Sequence, residues 1–218
     1  MERKVNPQIQ EAIDKRVLEL REDREPSGRI SAGRLGQPLQ WQMLHYFKVP
    51  AKPFDAYTLR KFQRGKDVED RIVEWLNPVK KQEEVKYRDV IGYVDAIIDG
   101  IPIEIKSVTN MAFKYIQKEG SKRSHKLQAE LYAKALGVDK YQIAYVASDD
   151  YRVLTFEEKV GDEVDKIIDR YEKQVEKGFI PIFEAEEPWQ AKADYNNYPE
   201  WMKLTQEEIN EKFKKLTK

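Results

Sequence analysis

Apolar residues along the chain recur at two spacings, one suited to helices and one to strands. Residues 5–22 place Ile9, Ile13, Val17 and Leu20 near one face of a polar stretch, which predicts an amphipathic helix. Residues 23–33 carry the Pro, Gly and Ser of a connector. A short helix is expected over Leu39–Tyr46, broken by the prolines of 49–53. Residues 57–76 hold Val68, Ile72, Val73 and Leu76 at helical spacing, and Asn77-Pro78 supplies the stop. Strands are expected near 82–88, 91–98 and 101–108. A helix over 124–136, ended by Gly137, leads to a buried-type strand at Tyr141–Ala147. A further strand at 151–156 and a helix at 158–177 follow. The tail from 180 is rich in aromatic and acidic residues, with a last helix from Thr205.

This order predicts the α/β class: a mixed central sheet flanked by helices. The chain divides into a helical extension (1–29), a main domain (30–180) and a tail (181–218) that includes the last helix. Its 218 residues are enough for one substantial core, and 40% hydrophobic content supplies the material.

Composition narrows the chemistry. With no cysteine, disulfides, thiolate zinc sites, iron–sulfur clusters and cysteine nucleophiles are excluded. Two histidines, His45 and His125, lie too far apart in sequence for a histidine-rich metal site. Basic and acidic residues balance at 39 each, so a polyanion partner would require segregated charge. No apolar run approaches the roughly 20 residues that cross a bilayer. The charged N-terminus lacks the apolar stretch of a signal peptide, so a cytoplasmic location without membrane contact is expected.

The segment 92–107, GYVDAIIDGIPIEIKS, concentrates the candidate chemistry. Asp99-Gly100 is a strong two-residue hairpin signal. Pairing outward from that turn sets Ile98 against Ile101, Ala96 against Ile103, Asp95 against Glu104 and Tyr93 against Lys106. Val94, Ala96, Ile98, Ile101, Ile103 and Ile105 then line an apolar face. The other face presents Asp95, Glu104 and Lys106 together. Carboxylates opposed at about 4.5–5.5 Å between Cβ atoms repel, and a divalent cation is the simplest compensation. The plain alternative is a solvated face on which Lys106 pairs with Glu104.

Asp95 followed by Glu104-Ile105-Lys106 resembles the motif of the PD-(D/E)XK nuclease superfamily, in particular its RecB-like branch. Gly65-Lys66-Asp67-Val68-Glu69 is similar to the G-x-x-x-(E/H) helix of that branch, and Gln128-Ala129-Glu130-Leu131-Tyr132 to its Q-x-x-x-Y helix. Ser31-Ala32-Gly33-Arg34-Leu35-Gly36 resembles the S-x-L-G opening, with Gly33 and Arg34 out of pattern. The resemblance spans about 30–180. It implies a restriction-endonuclease-like core in α-β-β-β-α-β order and a metal-dependent nuclease domain. Some relatives hold an iron–sulfur cluster through cysteines near the opening; here Pro38 stands in that neighbourhood, and no cluster is expected.

The resemblance implies roles as well. Asp95 and Glu104 would bind Mg²⁺ or Mn²⁺ with the carbonyl of Ile105, and Glu69 would add a third carboxylate, unless it forms only a salt bridge. Lys106 would position or deprotonate a water, or stabilise charge on phosphorus. Gln128 and Tyr132, one helical turn apart, would orient Lys106, the nucleophile or the substrate backbone, or else pack the helix on the sheet. Gly65 permits close backbone approach or simply starts a helix.

Lys114, Lys122, Arg123, Ser124, His125 and Lys126 bring positive and polar groups near this helix and are candidate DNA-phosphate contacts, with a solvated loop as the alternative. Tyr87, Tyr93, Phe113 and Tyr115 could stack bases, although core or rim packing is the commoner use. Trp189, Tyr195, Tyr198 and Trp201 are expected to clamp the tail onto the domain or onto another subunit.

The activity expected from this resemblance is phosphodiester hydrolysis in DNA by an exonuclease or single-strand nuclease of recombination, repair or phage replication. A structure-selective or restriction-type endonuclease, a silent DNA-binding module and an RNA enzyme are the alternatives; no RNA-binding motif supports the last. Without a helicase motif, unwinding would fall to a helicase or recombination partner.

Overall fold

The structure, a computed structural model, describes residues 7–20, 27–77, 80–192 and 197–216. The fold is a mixed five-stranded sheet flanked by helices, as the hydrophobic pattern predicts. Helix α1 (Pro7–Glu19) keeps its expected apolar stripe largely in solvent, with Ile9 and Leu20 exposed. Residues 5, 6, 21 and 22 of the expected helix, 23–26 of the connector and Pro78 of the helix stop lie outside the described residues. Helix α2 (Leu39–Tyr46) forms where expected and is buried along nearly its whole length.

Helix α3 (Ala56–Leu76) starts at Asp55, whose carboxylate accepts the Thr58 N–H at 2.8 Å, and ends at Asn77 in the left-handed region. Strands β1 (Lys80–Tyr87), β2 (Val90–Ile98) and β3 (Ile101–Val108) form an antiparallel meander. A helix the pattern did not reveal, α4 (Asn110–Glu119), is capped by the Thr109 hydroxyl accepting the Ala112 N–H. It turns Phe113 and Ile116 into the core, too few apolar positions to declare a period. Helix α5 (Arg123–Leu136) then carries the chain to β4 (Lys140–Ala147), which runs parallel to β3. Strand β5 (Val153–Lys159) pairs antiparallel with β4 and takes residues 158 and 159 from the expected helix, so α6 is Glu163–Lys177. The sheet order is β1-β2-β3-β4-β5.

Two apolar layers sandwich the sheet. Val68, Ile72 and Val73 of α3 cover Ala96, Ile103, Ile105, Ala144 and Val146 on one side. On the other, Leu127, Leu131 and Tyr132 of α5 meet Val90, Val94 and Ile97, and the layer continues through α2 and α6. The tail belongs to that layer. Tyr198 and Trp201 are buried in it, and Gln190 donates to the Gly36 carbonyl at 2.8 Å. These residues clamp the tail onto the same chain; Tyr195 lies outside the described residues. The last helix, α7 (Gln206–Leu216), buries Ile209.

The hairpin departs from expectation at one point. Ile98 pairs with Ile101 and Ala96 with Ile103, as the Asp99-Gly100 turn dictates, but the paired ladder ends there. Neither Asp95 against Glu104 nor Tyr93 against Lys106 is a ladder pair. Asp95 instead turns its carboxylate into the gap and accepts the Ile105 N–H at 2.7 Å. Opposite it in β1, Gln82 adopts a positive φ of 50°. The strand therefore changes its facing at Asp95, and Val94 packs beneath α5 rather than joining Ala96 and Ile98 beneath α3. A side chain replaces a backbone partner, which splays the two strands and lets a carboxylate enter the layer between them.

Candidate active site

Strand β3 presents Glu104 and Lys106 on its α5 side, while Ile103 and Ile105 fill the α3 side. Glu104 is 1% exposed and its Oε1 is paired with the Lys106 ammonium. Asp95, 7% exposed, shares the electrostatic environment of both. Burial, and then the charges of Glu104 and Glu69, push the Asp95 carboxyl up to about 9. Burial also raises Glu104, opposed by Lys106. Burial pulls Lys106 down, yet Glu104 and Asp95 outweigh it and hold the ammonium protonated.

A hydrogen-bonded line from α5 supports this cluster. Gln128 Nε2 donates to the Tyr132 hydroxyl at 2.7 Å, and that hydroxyl favours the charged form of Glu104. Tyr132 is buried over β2 at Gly92, where a Cβ would come within 2.5 Å of the Tyr132 ring and 3.0 Å of Ala32 Cβ. Only glycine fits there.

Lys106 and Glu69 open onto a cleft of about 570 Å³. Lys61, Phe62, Gly65, Lys66 and Glu69 of α3 form one part of its lining. Ile105, Lys106 and Ser107 of β3 form its floor. The first turns of α5, the 33–37 segment and Trp189 complete it. Gly36 lets that segment lie directly on α5, since a Cβ there would meet Ser124 Cβ at 2.8 Å and its Cα at 3.0 Å. Gly65 makes no close approach: nothing lies within 4 Å of its would-be Cβ, so it leaves the cleft open instead.

Ser124, His125 and Gln128 line the cleft, as do Glu69, Ile105 and Lys106. His125 is not cationic there. Burial, then the charges of Lys106 and Lys122, push it down to about 3. Its Nδ1 lies 2.9 Å from the Tyr145 hydroxyl, which also accepts the Lys122 N–H at 2.9 Å.

The other expected phosphate contacts stand elsewhere. Arg123 is bound to Glu163 at 2.6 Å and Glu186 at 2.9 Å, and Lys126 to Glu158 at 2.7 Å. Lys114 and Lys122 are exposed, and neither lines the cleft. The sequence pattern missed Lys61 and Lys66, which do line it; they sit two turns and one turn before Glu69 on the same helix, and that spacing was the available signal. It also missed Gln82, which donates to Glu69 Oε1 at 3.0 Å, and Ser107, whose buried hydroxyl has no hydrogen-bond partner.

Among the described residues, no three Asp, Glu or His side chains are gathered into a ready-made cation cage. Glu69 accepts the Gln82 side-chain amide at 3.0 Å and reaches Asp95 and Glu104 through its charge. The residues nevertheless suit a hard divalent cation. Glu104 is almost wholly buried beside Asp95, whose carboxyl is pushed up first by burial and then by the Glu104 charge. Such a pair costs free energy until a cation joins it.

No family model and no curated protein matches the chain in sequence. Its fold is nonetheless one already seen in a solved protein. The crystal structure of SSO0001 superposes with a TM-score of 0.54 at 19% identity, covering 90% of this chain and 98% of that one. An alkaline exonuclease (LHK-Exo) from Laribacter hongkongensis gives a TM-score of 0.49 at 14% identity, covering 70% of this chain and 92% of its own. A phage-related exonuclease from Haemophilus somnus 129PT gives 0.42 at 15% identity, covering 69% and 96%.

Proposed function

We propose that this chain is a divalent-metal-dependent nuclease that hydrolyses phosphodiester bonds in DNA, acting on ends or single strands rather than on closed duplex. One observation carries the reading. A buried carboxylate pair, Asp95 and Glu104, acts on the Lys106 ammonium, and Lys106 itself lines an open cleft together with Glu69, Ser124 and His125. Buried like charges are expensive, and a fold keeps them where charge is to be handled.

Asp95 and Glu104 would hold Mg²⁺ or Mn²⁺ with the Ile105 carbonyl, and Glu69 would join by releasing Gln82. When bound, the cation supplies Lewis acidity to a phosphate oxygen and eases deprotonation of a water. The chain's own groups do the rest. Gln128 and Tyr132 fix the Glu104 carboxylate, and Lys106 offers positive charge to the phosphate as negative charge gathers on it. The neutral His125 ring and the Ser124 hydroxyl line the cleft and are uncharged groups suited to hydrogen bonding with phosphate oxygens. A water oxygen adds to phosphorus, the bond to the leaving sugar oxygen breaks, and that oxygen departs with a proton.

The test is incubation of the purified protein with end-labelled linear single-stranded, linear duplex and closed circular DNA, in Mg²⁺, Mn²⁺ or EDTA. Metal-dependent degradation is expected, reduced at least ~100-fold in Lys106→Ala and Glu104→Ala. Equal DNA binding by all three proteins with no cutting by any would replace the enzyme with a binding module. Closed circles cut as fast as linear DNA would replace end- or single-strand action with an endonuclease.

A further inference from the structure

Two of the cleft's lining residues have no part in handling a phosphate. Phe62, on α3, is 54% exposed, and Trp189, in the short turn Pro188–Ala191, is 41% exposed. Single exposed aromatics are ordinary on a protein surface. Two of them on separate elements lining one cleft are less so, and both are held in place. Phe54 meets Phe62 edge-on, with ring centroids 5.0 Å apart at 88°. The turn bearing Trp189 is fixed by Gln190, whose Oε1 accepts the N–H groups of Glu186 and Glu187 and whose Nε2 reaches the Gly36 carbonyl at 2.8 Å. Gln190 is itself fully buried, so the placement of Trp189 is built into the core.

Aromatic faces at the rim of a phosphate-handling groove suit nucleobases, because every base has a π-face and stacking needs no particular sequence. Paired duplex bases have no free face to offer. Lys61 adds a cation beside Phe62; it lies 5.4 Å over the Tyr57 ring and forms no ion pair among the described residues. The aromatics expected to stack bases are placed otherwise. Tyr87 donates to Asp165, Tyr93 to Glu84, Phe113 is core, and Tyr115 is exposed away from the cleft.

We infer that Phe62 and Trp189 are base-stacking platforms that make this cleft a site for unpaired nucleotides, so that the strand is held by its bases while its backbone lies over the carboxylates. The inference rests on the nuclease reading for the identity of the polymer, and the test separates the two.

Binding of a labelled single-stranded oligonucleotide, an abasic strand of the same length and a blunt duplex is measured by anisotropy in Ca²⁺. Wild type is expected to prefer the base-bearing strand. Phe62→Ala and Trp189→Ala should each weaken that strand by roughly 5- to 100-fold, leave abasic and duplex binding unchanged, and recover in Phe62→Tyr and Trp189→Phe. Circular dichroism and melting confirm that the alanine variants are folded. Equal loss on abasic and base-bearing strands, a wild-type preference for duplex, or no measurable binding of any strand overturns the inference. Cleavage of the same strands in Mg²⁺ is scored separately. Base-dependent binding without cutting ends the nuclease reading alone, and cutting without base-dependent binding ends the stacking inference alone.

Discussion

At the scale of single residues, Asp95 has the largest electrostatic consequence. Folded, it keeps its proton to about 9, against an ordinary value of 3.8. The folded state therefore binds that proton more tightly than the unfolded chain. Its contribution to stability is full below pH 3.8 and is lost as pH rises through about 9. Melting in EDTA is expected to show a falling midpoint between pH 7 and 9. Asp95→Asn, which keeps an acceptor for the Ile105 amide, should flatten that slope and stabilise the metal-free protein by on the order of 2 kcal/mol at pH 9. Mg²⁺ or Mn²⁺ should raise the midpoint of the wild type and leave the variant where it was. An unchanged slope in Asp95→Asn would show that Asp95 is not the group responsible. The meeting of Asp95, Glu104 and Lys106 was legible in the sequence, but the way Asp95 reaches them was not. The hairpin turn fixes which residues oppose one another near Gly100, but not that a side chain displaces the ladder five positions away from it.

Elements were legible in proportion to how many apolar positions they commit. Helices α3 and α5 and strands β2 and β3 bury several residues each and sit close to their expected bounds, whereas β1 buries only Val85. Helix α4 commits two large residues, Phe113 and Ile116, and its basic, polar remainder reads as a loop. The facing of β2 was legible only up to Asp95, because a strict alternation cannot anticipate a switch. Gly92 ties strand to helix: it exists as glycine so that Tyr132 can lie across β2. Gly92→Ala should displace the Tyr132 ring, cost about 1–3 kcal/mol in chemical denaturation, and lower turnover with little effect on KM. A variant with wild-type stability and turnover would mean that the ring has room the packing does not show.

At the scale of the whole molecule, the tail is part of the core and not an appendage. Trp201 is 1% exposed amid residues of α2, α5 and α6. Trp201→Ala should cost about 3–5 kcal/mol, whereas Trp75→Ala, at a side chain 60% exposed, should change the free energy of unfolding by less than about 0.5 kcal/mol in chemical denaturation. Equal effects of the two would contradict the clamp. Among the described residues no helix is long and apolar enough to cross a membrane. The expectation that aromatics in the tail serve packing was sound for Tyr198 and Trp201. It failed to separate Trp189 from them, because nothing in composition distinguishes a buried indole from one set at a rim.

The bond from Gln190 to the Gly36 carbonyl joins positions 154 residues apart. During synthesis the acidic pair and Lys106 leave the ribosome well before Gln190 does, at ordinary elongation rates by several seconds. A nascent chain thus carries Asp95, Glu104 and Lys106 before the turn bearing Trp189 can dock on the 33–37 segment and complete the cleft wall.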